Sequence, residues 1–236
     1  MPKKEKSNVD IWLEGETKHK REALENASRH FDERDNFTVN TLEAVYGKES
    51  SFGADMRKRG IKGGAGHFML EKPTAERYGL TATKENDQRF DIDDASNAAA
   101  RYLKDLDTFF SKETNLGHGK RTIPVKSASE RKKFVIAAYN GGEGRIASAQ
   151  KEAVKAGKNP SLWNDVKQFL KAAGATIAKT EEIKNFLEKV LSYETEFAEK
   201  SPADKKAKKK KPKKSGYRCT GGRWRTIDDQ PVMICD

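Results

Sequence analysis

Apolar residues recur at intervals of three and four from residue 8 to residue 198, while the period-two alternation of strands is scarce. Ile11, Leu13, Leu24, Ala27 and Phe31 space a highly charged helical lead-in over 8–34. The pattern predicts a helix over 40–50, with Asn40 or Thr41 as its cap. Gly53, Gly60, Gly63, Gly64 and Gly66 then break the periodicity and predict a long loop over 51–72. Pro73 suits a first helical turn, and the short helix it opens stops at Gly79. Asp93 or Asp94 caps a core helix whose face runs Ala95, Ala98, Ala99, Tyr102, Leu103, Leu106 and Phe109 or Phe110. Beyond a polar loop at 114–126, Ser127 and Glu130 have capping-box spacing and open a helix that Gly141-Gly142 ends. Further helices are predicted over 144–156, over 160–172, and over 180–198 with Thr180 as cap. The fold class is mainly α.

Charge divides the chain further. Of a net +11, residues 200–214 hold +8, in a low-complexity Lys-rich run that repels itself and reads as a linker. The domains predicted are a charged lead-in at 1–36, a helical domain at 37–199, the linker at 200–216 and a small module at 217–236. The lysines of the linker suit a solvated spacer, or binding to anionic wall polymers or a membrane surface. No aromatic residue interleaves them from 205 to 214, which argues against nucleic acid. Cys219 and Cys235 are the only cysteines and fit a disulfide pinning a terminal β-hairpin, or two reduced thiols. No stretch reaches the roughly 18 to 20 apolar residues of a membrane span, and the basic N-terminus has no apolar run of a signal peptide behind it. No cluster of ligands at metal-like spacing appears, and no cofactor is expected.

Three punctuated segments carry candidate chemistry. Glu49-Ser50 closes NTLEAVYGKESSF, GGAGHFMLEKPTA follows at 63–75, and AAYNGGEGR lies at 137–145. A glutamate ending an amphipathic helix is ordinarily a solvated surface residue, so the later segments are what make Glu49 a candidate. In this order and spacing the segments resemble the lysozyme-like lytic transglycosylases of the soluble-lytic-transglycosylase (SLT) type. The resemblance covers about 40–198, including AARYLKDL, WNDV and a final helix with Tyr193. Met69 stands where that family usually has glutamine, as in membrane-bound relatives of the F type.

The resemblance implies a lysozyme-like (goose-type/SLT) helical domain that cleaves the MurNAc-β-1,4-GlcNAc bond of peptidoglycan and leaves 1,6-anhydromuramyl ends. Glu49 acts first as acid and then as base, the substrate's N-acetyl group replacing a second carboxylate. Such a carboxyl must be protonated near neutral pH, so it needs burial against apolar groups, for which Phe68, Met69 and Tyr139 are candidates. Tyr139 could orient Glu49 through its hydroxyl or serve as a core aromatic. Ser50 could anchor the backbone or touch an N-acetyl group, and Asn140 and Tyr193 are further cleft candidates. His67 is expected to be exposed. The implied partners are glycan strands in the periplasm or wall, with a secretion or phage wall-penetrating apparatus as a further candidate. Two other readings remain open: a goose-type muramidase in which Asp55 activates water, and an inactive wall-binding scaffold.

Overall fold

Local side-chain chemistry sets the start of most of the longer helices in the computed structural model, which describes residues 5–200 and the backbone of 222–227 and 230–235. The chain divides into two units, Met1–Ser201 and Pro202–Asp236. The lead-in forms α1 (Asn8–Glu14), with a Ser7–Asp10 capping box, and α2 (Lys18–Ala27), capped by Thr17. Thr38 rather than Asn40 or Thr41 caps α3 (Val39–Ser50), and its N–H donates to Thr41 Oγ1 at 3.0 Å. The short α4 (Lys72–Arg77) carries its proline in the first turn. For α5 (Ile92–Ser111) the cap is Asp91, whose carboxylate accepts from the N–H groups of both Asp93 and Asp94 at 3.0 Å.

The expected polar loop at 114–126 contains a small hairpin, β1 (Asn115–Gly117) with β2 (Lys120–Arg121). Ser127 caps α6 (Ala128–Gly141), which Gly142 ends at φ 82°, and α7 (Glu143–Lys155) follows at once. The helix expected over 160–172 shrinks to α8 (Trp163–Val166) and a 3₁₀ turn at Lys167–Phe169. The Trp163 N–H, which a helix starting at Pro160 would direct to the Asn159 carbonyl, goes instead to Glu130 Oε2 of α6 at 3.0 Å, so the regular ladder does not start there. The last helix, α9 (Ile177–Lys200), begins before Thr180, which is buried within it; Thr176 Oγ1 accepts the Lys179 N–H at 3.1 Å instead. In the second unit β3 (Gly222–Ile227) pairs antiparallel with β4 (Gln230–Cys235). The Lys-rich stretch from 201 and the Cys219–Cys235 pairing lie outside the described residues.

Helix α3 is buried along most of its length, with Leu42, Ala44, Val45 and Tyr46 fully enclosed. Helix α9 packs along α3 and α6, and α5 packs between α2 and α6. The lead-in belongs to the same core: Trp12 of α1 stacks on Phe52 at 5.9 Å and on Phe197 of α9 at 6.2 Å. Gly47 makes this possible, since a Cβ there would lie 2.3 Å from the Trp12 ring. Two residues before Glu49, the back of α3 is thus in direct contact with the lead-in. Among the described residues no helix is long and apolar enough to cross a membrane.

Candidate active site

Helix α3 stops at Ser50 because Ser51 turns left-handed, at φ 50°, leaving Glu49 in the last turn. Glu49 lines an open cleft of about 560 Å³. Arg57, Met69 and Glu71 come to it from the glycine-rich segment, Tyr102 from α5, Tyr139 and Asn140 from α6, Glu143 and Arg145 from α7, and Lys179 and Glu182 from α9. Burial pushes the Glu49 carboxyl up to about 8, and the opposing pull of Lys48, Lys179 and Arg57 falls short of cancelling it. The negative end of the α3 dipole acts in the same direction as burial. At neutral pH the cleft therefore holds a carboxylic acid able to donate a proton.

The glycine-rich segment is held by a residue that sequence reasoning missed. Arg89 is wholly buried, paired to Asp87 at 2.7 Å, and donates to the carbonyls of Ile61, Gly63 and Leu70 at 3.0 Å. Its own carbonyl accepts the His67 N–H at 2.9 Å, and at Gly66, φ 77°, any Cβ would strike that oxygen. The segment folds over this guanidinium, with an Ala65–Leu70 bridge closing its tip and Met69 held left-handed at φ 47°. A lone arginine in QRFD reads as a solvated charge; only the folded loop, some twenty residues upstream, reveals its acceptors.

Of the residues expected at the site, Glu49, Met69, Tyr139 and Asn140 share the cleft. Ser50 does not: it is buried, its hydroxyl donates to the His67 carbonyl at 2.7 Å, and it anchors the loop to α3. Phe68 is buried against the Tyr46 ring at 5.2 Å and packs the core behind the cleft. Tyr139 directs its hydroxyl to the Phe68 carbonyl at 2.9 Å rather than to Glu49, because a loop carbonyl there needs a donor. Tyr193 lies elsewhere, edge-on to Trp12 at 4.9 Å. His67 is buried, not exposed: it meets the Tyr46 hydroxyl at 2.9 Å, and burial together with Lys20 lowers it to about 4, so it is neutral. Asp55 is exposed and does not line the cleft.

Lys179 was hidden by the misplaced cap, since starting α9 at Thr180 put it outside the helix, whereas Glu182 lay inside the predicted helix and read only as a charge favourable to its N-terminus. Glu182 accepts from Lys179 at 2.9 Å and from Asn140 at 3.0 Å. Burial raises its carboxyl, but these hydrogen bonds outweigh that and hold it below the ordinary value. Glu143 accepts from the Tyr102 hydroxyl at 3.2 Å and pairs with Arg77 at 3.5 Å.

Residues 27–162 match the family model described as the transglycosylase SLT domain, more than half of the chain. The chain belongs to this family. The SLT match takes in Glu49, Met69, Tyr139 and Asn140 and stops short of α9 with Lys179 and Glu182. The mainly helical, lysozyme-like architecture agrees with the membership. Similar proteins include a membrane-bound lytic murein transglycosylase F from Shewanella loihica, 33% identical over 112 residues, which are 48% of this chain and 20% of that protein. One from Salmonella arizonae is 33% identical over 129 residues, 55% of this chain and 21% of the relative. One from Salmonella typhi is 35% identical over 105 residues, 44% and 18% of the two. The SLT chain thus spans about a fifth of the length of these relatives.

Proposed function

We propose that this SLT domain is a lytic transglycosylase acting on peptidoglycan strands of the periplasm or wall, with Glu49 as acid and then base. What carries the reading is a carboxyl in the cleft raised to about 8 by burial and so protonated at neutral pH. In the first step the Glu49 proton passes to the glycosidic oxygen as the C1–O bond of the muramyl sugar breaks, and the N-acetyl oxygen meets the charge at C1. In the second, the Glu49 carboxylate takes the proton of the sugar's C6 hydroxyl. The C6 oxygen then bonds to C1 as the N-acetyl oxygen leaves it, closing the anhydro ring and restoring the acid without consuming water.

A hydrolase needs a second group to activate water. Asp55 lies outside the cleft and Glu143 and Glu182 are held by their own partners, which leaves the exposed Glu71 as the cleft carboxylate open to that role, so the chemistry of the released ends decides between the readings. Purified sacculi digested with wild type should yield fragments ending in anhydro-sugars, each lighter by one water than its reducing counterpart. Glu49→Gln should lower the rate by about 10²–10⁴-fold. Reducing ends in the wild-type digest, or an active Glu49→Gln protein, would overturn the proposal.

A further inference from the structure

If Glu49 serves twice, a negative charge forms on it after the first step, and something must meet that charge. The start of α9 supplies a fixed cation on the same cleft. Lys179 Nζ donates to Asn140 Oδ1 at 3.1 Å and to Glu182 Oε1 at 2.9 Å, while Asn140 Nδ2 donates to the same Glu182 oxygen at 3.0 Å. The three side chains close a ring between α6 and α9. An ammonium has three N–H donors, so the ring leaves one unused on a residue that lines the cleft. A free lysine would lose up to about 2 kcal/mol of rotamer entropy on being held in one place. Here the ring has already fixed it.

We infer that Lys179 is a positioning residue: anchored by Asn140 and Glu182, it holds positive charge toward the Glu49 carboxylate created when the leaving oxygen is protonated. The inference rests on the acid–base role proposed for Glu49. The other groups acting on Glu49 are Lys48 on its own helix, Arg57 from the glycine-rich segment, Glu182 from α9 and the neutral Tyr139 from α6, while Glu71, Arg77, Glu143 and Arg145 line the rest of the same cleft. Lys48 sits over the Phe186 ring at 5.7 Å, and Arg57 is exposed and donates to the Gly64 carbonyl at 3.3 Å. Lys179 differs from both in being clamped by side chains of two helices.

The test compares full-length wild type, Lys179→Met, Lys179→Arg and Glu49→Gln by the initial rate of fragment release from sacculi across pH, with helix content checked by circular dichroism. Removing a cation makes the Glu49 acid harder to ionise, so it stays protonated to higher pH. Lys179→Met should therefore move the alkaline limb up by about half a unit and lower the plateau about fivefold, the size of a solvent-accessible charge pair. Lys179→Arg should restore both. A folded Lys179→Met protein whose limb does not move overturns the inference, whether or not its plateau falls. An active Glu49→Gln protein would instead overturn the underlying acid–base reading.

Discussion

Glu49 must pay in stability for staying protonated, and the sign of that effect can be worked out. Its carboxyl moves from an ordinary value of 4.5 in the unfolded chain to about 8 in the fold. Between those values the native state holds a proton that the unfolded state has lost, so stability falls as pH rises through this window. Below it both states are protonated and the group costs nothing. Glu49→Gln should therefore leave stability unchanged at pH 4 and raise it by about 1–2 kcal/mol at pH 8, since water reaches the open cleft and damps the full effect. Urea unfolding at the two pH values checks this, and equal differences at both would contradict it. Residue by residue, the motifs told which segments build the cleft but not which side chains face it. Successive helical residues point about 100° apart, so Glu49 enters the cleft while Ser50 turns inward to the His67 carbonyl. Phe68 and Met69 part in the same way, one into the core and one, through a left-handed backbone, into the cleft.

At the scale of elements, helices were legible from their apolar faces and the Ser127 cap was read in place, whereas three other starts slid by two to four residues. Thr38, Asp91 and Thr176 each stand a few residues ahead of another plausible cap, and packing decides between them. The glycine-rich segment was legible as a loop, but its order comes from Arg89, a long-range feature with no local pattern. Its hydrogen bonds to three carbonyls and its pairing with Asp87 all sit in the interior. Arg89→Met would leave those carbonyls without their donor and Asp87 as a buried charge, for a loss of about 3–5 kcal/mol. Activity should fall with it, since Met69 and Arg57 ride on the same segment. Denaturant unfolding of the variant measures the first effect; a loss below about 1 kcal/mol would show that the segment orders itself without the guanidinium.

Across the whole molecule, the folded unit is larger than the family match, and the difference has physical weight. The match covers 27–162, whereas the core draws Val9 and Trp12 from α1 and Ile183, Phe186, Leu187, Val190 and Phe197 from α9. At about 1.5–3 kcal/mol for each large apolar side chain, these seven contribute on the order of 10–20 kcal/mol of gross burial. That rivals the net 5–15 kcal/mol of an ordinary domain. Their removal would also bare the faces they cover, among them α3 at Gly47, where Trp12 lies against the backbone two residues before Glu49. A fragment of residues 27–162 should therefore fail to fold cooperatively, while residues 1–201 should retain the melting transition of the first unit. Near-ultraviolet circular dichroism and thermal melts of the two fragments distinguish these outcomes. A shorter fragment with a sharp transition would mean that α1 and α9 decorate a self-sufficient core; its absence would mean that the helix bearing Lys179 is as much a part of the fold as of the cleft.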